Sequence, residues 1–129
     1  MADTLILLDT SILIEYYRKT DKERSVWFKL IRGENSFAVS AMTKYEIFAG
    51  ATSTQLTFWN VVMEAMIVLP LDENAIDAAV MINASLKRKR KQIGMADLFI
   101  AATAVSRELP LATLNRKHFE RIDALQLID

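Results

Sequence analysis

The feature that most constrains this fold is the unbroken apolar run Leu5-Ile6-Leu7-Leu8, stopped by Asp9. It is too short for a stable helix and shows no polar alternation. Those two properties predict a strand, residues 4–8, buried on both faces. Such a strand belongs in a parallel sheet with helices packed on either side. An acid at its end then stands at the carboxyl edge of the sheet, where ligands bind in open α/β folds.

The rest of the chain repeats the alternation. Thr10 or Ser11 is expected to cap a helix to about residue 17. Asp21 is expected to cap another, burying Val26, Trp27, Leu30 and Ile31 and ending near Gly33. Residues 36–39 form a second strand, and Ser40 or Thr43 starts a helix with Tyr45, Phe48 and Ala49 inward, closing at Gly50. Thr54 caps a helix to about residue 66, and residues 67–69 form a third strand stopped by Pro70. Asp72 caps a long helix with Ile76, Ala79, Val80 and Leu86 on one side. Residues 96–107 make a strongly apolar, central helix, followed by strands at 111–113 and 125–128. The expectation is an α/β fold with a central parallel sheet of four to five strands, helices on both faces, and one domain over residues 1–129.

Composition narrows the chemistry. With no Cys, disulfides, zinc–thiolate sites and thiol nucleophiles are excluded; with one His, His118, so are His-pair metal sites. No stretch of 18 uncharged apolar residues exists to span a membrane, and the chain start lacks the basic region of a signal peptide. Sixteen basic residues balance sixteen acidic ones, but unevenly. Residues 45–86 hold five acids and no Lys or Arg, whereas residues 87–121 hold nine basic residues against three acids. Five of those nine are consecutive, Lys87-Arg88-Lys89-Arg90-Lys91. A patch of this kind attracts polyanions even when net charge vanishes. It also suits a solvated helix end, where cations favour the dipole.

Three acids sit where a plain structural role explains them poorly. Asp9 ends a buried strand, Glu46 lies about one turn into the helix after the second strand, and Asp97 begins a helix with almost no polar face. Each has a bland reading as well: a cap, a solvated side chain, a dipole partner. Asn115, after the fourth strand, is either a turn residue or a neutral oxygen donor. If the three carboxylates converge, each raises the others' cost of ionisation, and a hard divalent cation relieves that cost. Oxygen-only ligands suit Mg²⁺ or Mn²⁺ rather than zinc.

Four stretches carry a resemblance: Leu7-Leu8-Asp9-Thr10-Ser11-Ile12-Leu13-Ile14; Ser40-Ala41-Met42-Thr43-Lys44-Tyr45-Glu46 on to Gly50-Ala51; Ile93-Gly94-Met95-Ala96-Asp97-Leu98-Phe99-Ile100-Ala101-Ala102-Thr103-Ala104; and Thr113-Leu114-Asn115 on to Phe119. In this order and spacing the chain resembles the PIN-domain ribonucleases, above all the VapC-type toxins of type II toxin–antitoxin pairs. The resemblance implies a three-layer α/β/α fold and a cytoplasmic endoribonuclease using Mg²⁺ or Mn²⁺. It implies Asp9, Glu46 and Asp97 as catalytic, metal-site residues, with Glu46 either binding metal or positioning water. Thr10, Ser11, Thr113 and Asn115 become supporting residues. Water would attack an RNA phosphodiester in line, leaving a 3′-hydroxyl and a 5′-phosphate. A VapB-type antitoxin, a homodimer and no membrane are the implied partners. Where the family often has Gly before the Ile-Gly pair, this chain has Arg90-Lys91-Gln92.

Lys87, Arg88, Lys89, Arg90 and Lys91, with Arg116, Lys117 and Arg121, are the candidate RNA-backbone contacts. His118 is expected to make a loop or core hydrogen bond rather than to catalyse. Trp27, Trp59, Phe28 and Phe58 are expected in the core or an interface, and the helices near Tyr16, Phe48, Phe58 and Val62 as a partner surface. A receiver-type domain would need an acidic pair after the first strand and a late Lys, and a haloacid-dehalogenase-type phosphatase an Asp at Ser11. The remaining alternative is an inactive PIN-like module that binds RNA or protein.

Overall fold

The computed structural model describes residues 4–128; Asp3 and Asp129, two of the acids in the charge count, lie outside them. Four parallel strands form one sheet in the order β3-β2-β1-β4. They are β1 (Thr4–Leu8), β2 (Asn35–Ser40), β3 (Ile67–Leu69) and β4 (Leu111–Ala112). Leu7 registers with Ala38 on one side and Leu111 on the other, which places β1 in the interior of the sheet. The expected fifth strand is reduced to a single parallel bridge from Leu127 to Leu111.

Strand periodicity divides the core in two. Leu7, Ala38 and Leu111 pack toward α5 (Glu73–Lys89) and α6 (Met95–Ser106), whose Ala79, Ile82, Leu86 and Ile100 complete that layer. Ile6, Leu8, Val39 and Ala112 pack on the opposite face, with Ile12, Leu13, Trp27, Trp59 and Val62. Those come from α1 (Thr10–Arg18), α2 (Val26–Ile31) and α4 (Leu56–Glu64), with α3 (Ala41–Gly50) contributing Ile47. This is the three-layer α/β/α arrangement. No helix among the described residues is long and apolar enough to cross a membrane.

Local capping corrects several expected boundaries. Asp9 itself caps α1, its carboxylate accepting from Ile12 N–H, so Thr10 and Ser11 lie inside the helix. Asp21 caps only a 3-10 turn over Lys22–Arg24, and the Ser25 hydroxyl caps α2. Thr54 caps nothing; its hydroxyl meets that of Thr52, and α4 begins at Leu56. Asp72 caps α5 as expected.

Helix faces are corrected too. Tyr45 is 69% exposed and Ala49 is exposed, while Thr43 and Ile47 are the buried residues of α3. Ile31, Ile76 and Val80 are exposed, and α5 buries Ala75, Ala79, Ile82 and Leu86 instead. Small residues let α5 lie close to α6, so bulk did not mark its inner face. Val62 is buried and Tyr16, Phe48 and Phe58 pack partly buried against the same core, while Leu56 and Val61 on α4 are exposed.

Candidate active site

The carboxyl edge of the sheet gathers the expected residues. Leu8 registers with Ala112, and Asp9 N–H donates to the Ala112 carbonyl, so Asp9 and Thr113 leave adjacent strands side by side. β2 ends at Ser40, whose hydroxyl accepts from Thr43 N–H and sets the start of α3. Glu46 follows one turn later. α6 begins at Met95, so Asp97 lies in its first turn. The short α7 (Arg116–Phe119) follows Asn115.

Asp9, Glu46 and Asp97 all line one open cleft of about 680 Å³, with Thr10, Ser11 and Asn115. Asp9 is 2% exposed and is held by both oxygens. Oδ1 accepts from the Ser11 hydroxyl and from Ile12 N–H, and Oδ2 accepts a short hydrogen bond from the Thr113 hydroxyl. Ser11 Oγ also accepts from Leu114 N–H at 3.0 Å, and Thr113 Oγ1 from Asn115 N–H at 2.9 Å. These bonds tie the loop after β4 to the start of α1. Burial pushes the Asp9 carboxyl above its ordinary pKa; the Ser11, Thr113 and Ile12 donors pull it back, and the charge of Asp97 raises it further.

Thr10 serves Glu46. Its hydroxyl donates to Glu46 Oε1 at 2.6 Å and lies 3.2 Å from Thr43 Oγ1. Asp97 Oδ2 lies 3.1 Å from His118 Nδ1, so the hydrogen bond of His118 is to a site acid, on an exposed ring. Among the described residues, no Lys or Arg forms an ion pair with Asp9, Glu46 or Asp97. Nor, among the described residues, are three acids and histidines gathered tightly enough to enclose a metal ion. The three carboxylates share a cleft, but each is held by its own neighbour.

Ile14, Glu15, Arg18, Lys19 and Leu114 also line this cleft and were not expected there. Their helical spacing was the available signal: Ser11, Glu15, Arg18 and Lys19 follow one face of α1 from the sheet edge outward. The basic run, by contrast, does not enter the cleft.

The chain matches the PIN domain family over residues 6–125. It is also 36% identical over 121 residues to Ribonuclease VapC1 of Methanocaldococcus jannaschii, which covers 93% of this chain and 82% of that protein. The chain belongs to the PIN domain family, among the VapC ribonucleases. This PIN domain is 30% identical over 128 residues to the tRNA(fMet)-specific endonuclease VapC of Shigella flexneri, covering 95% of this chain and 96% of that one. Among solved structures it is similar to DNA-bound VapBC from Salmonella typhimurium, with a TM-score of 0.85, 27% identity and 98% of both chains covered.

Proposed function

We propose that this chain is a single-domain, divalent-metal-dependent endoribonuclease, the toxin of a VapBC-type pair, and that Asp9, Glu46 and Asp97 are its working acids. The observation that carries the reading is the cleft itself. Asp9, Glu46 and Asp97, from three segments, line it beside a fourth acid, Glu15, and among the described residues none of the four forms an ion pair with Lys or Arg. A buried acid whose ionisation is opposed by burial and by a second acid is the environment a cation relieves. All candidate ligands are oxygens, which fits Mg²⁺ or Mn²⁺.

Asp9 and Asp97 would hold the cation, and Glu46 would hold it or orient the attacking water. A bound divalent cation supplies charge neutralisation at a phosphoryl centre and lowers the pKa of water. The remaining work falls to the chain. Ser11, Thr113 and Ile12 N–H fix Asp9, and Thr10 fixes Glu46. His118 restrains Asp97 from the loop side. Arg18 and Lys19, on the wall of the same cleft, offer cations to phosphates flanking the scissile one. The similarity to VapBC complexes supports a VapB-type antitoxin partner.

RNA cleavage by the purified protein tests the reading. Cleavage with Mg²⁺ or Mn²⁺, its loss in EDTA, and a drop of about 100-fold or more in Asp97→Asn with an unchanged melting profile are expected. Undiminished cleavage by Asp97→Asn overturns the assignment.

A further inference from the structure

The tertiary structure divides Arg88, Lys89, Arg90 and Lys91 of the basic run among three environments. Lys89 is a clip: its ammonium pairs with Asp123 at 2.9 Å and donates to the Arg121 carbonyl at 3.1 Å. Arg88 lines an apolar hollow with Met81, Ile82 and Ile122. Only Arg90 and Lys91 reach a second cavity, of about 510 Å³, which they line with Gln92, Lys117, Glu120 and Arg121. Four cations and one carboxylate thus face one open hollow, a local charge of +3. Among the described residues, none of those four cations pairs with an acid in an ion pair.

Two further facts bear on this hollow. The helix α7 links it to the cleft: it follows Asn115, which lines the cleft, and carries Lys117, which lines the hollow. Its His118 contacts Asp97 on the carboxylate side, while the adjoining Lys117 lines the basic side. Second, Arg90 ends α5 in the left-handed conformation, φ 56° and ψ 39°, with Lys91 N–H returning to the Leu86 carbonyl. That is the position where Gly is conformationally cheapest. The turn fixes where the Arg90 side chain leaves the end of α5, at the rim of the hollow.

We propose that Arg90, Lys91, Lys117 and Arg121 form a subsite for the phosphodiester backbone of the RNA strand that passes through the carboxylate cleft. The proposal rests on the ribonuclease reading and adds where the strand continues. It makes Lys89 a structural clip, and it assigns no phosphate to Arg88.

The test is binding of a fluorescein-labelled 20-nucleotide single-stranded RNA in EDTA, titrated with salt. The variant Arg90→Gln/Lys91→Gln/Lys117→Gln/Arg121→Gln is compared with a control that removes four other exposed cations, Arg24→Gln/Lys29→Gln/Arg32→Gln/Lys44→Gln. Each phosphate contact on a single strand contributes about 0.7 to the slope of log K against log salt, so the first variant flattens it by about 2 to 3. Affinity near 0.1 M salt falls by roughly tenfold or more, while the control moves far less. The double variant Arg90→Gln/Lys117→Gln shows about half the slope change, and reads the same effect if the fourfold variant does not fold. Equal losses in test and control, or an unchanged slope, overturn the subsite. In Mg²⁺, the variants should lose efficiency on the 20-mer but not on a dinucleotide too short to reach the hollow. If the unaltered protein cleaves neither substrate with any divalent cation, the ribonuclease reading fails. If it cleaves both and the variants bind and cleave the 20-mer as it does, only the subsite fails.

Discussion

Thr113→Val is the most informative single substitution, because it removes one hydroxyl and almost nothing else. Thr113 is 8% exposed; its Oγ1 donates to Asp9 Oδ2 and accepts from Asn115 N–H. Valine fills the same volume without either bond. A hydrogen bond to a charged group contributes about 1.5–3 kcal/mol. Asn115 is exposed, so water can replace the acceptor its N–H loses, and that loss adds little. The expected destabilisation is therefore about 2–3 kcal/mol at neutral pH. For a domain of this size it lowers Tm by roughly 6–15 °C. The same bond holds the Asp9 pKa down against burial. Removing it raises that pKa further, so less carboxylate is ionised at a given acidic pH. If ionised Asp9 is needed for cleavage, the acid limb of the pH–rate profile moves to higher pH, and kcat/KM falls most at the acid end. Thr113→Ser keeps the hydroxyl and restores both properties. Thermal melts and cleavage from pH 5 upward make the measurement. A Thr113→Val protein that melts within about 0.5 kcal/mol of the unaltered chain, with its acid limb unmoved, refutes the role given to this bond.

Other outcomes follow from the same geometry. Because burial raises the Asp9 pKa in the folded protein, its contribution to stability is fully present below the unfolded pKa and is lost as pH rises through the folded one. In EDTA at neutral pH, Asp9→Asn should therefore melt higher than the unaltered chain, and added Mg²⁺ should stabilise the unaltered chain more; calorimetry with and without metal checks both signs. Arg90→Gly relieves a left-handed residue at a helix end, a gain of about 1 kcal/mol partly offset by the greater freedom of glycine in the unfolded chain. Its Tm should stay level or rise while RNA binding weakens; a Tm loss would show that the Arg90 side chain stabilises the turn.

Much of this molecule was determined by sequence alone, for a simple reason. Burial on both faces leaves a strand no polar positions, so Leu5-Ile6-Leu7-Leu8 announces an interior parallel strand before any contact is known. The acid that closes it must then stand at the carboxyl edge, and Asp9 does. Asp97 is legible for a related reason: it begins a helix with almost no polar face, which packs centrally. Side-chain direction was not legible in the same way. The inner face of α3 depends on where Ser40 caps it, which puts Thr43 and Ile47 inward and leaves Tyr45 out. The inner face of α5 follows its small residues rather than its large ones.

Only the tertiary structure decided how the polar groups share partners. Thr10 and Ser11 are neighbours on the chain, but successive helix positions diverge by about 100°, so one serves Glu46 and the other Asp9. His118 meets Asp97 across 21 positions, and Lys89 leaves the basic run to meet Asp123 across 34. Hydrophobic pattern is local and periodic, and a single chain displays it in full. Pairings between distant polar side chains are set by distances between elements, which exist only after those elements have packed.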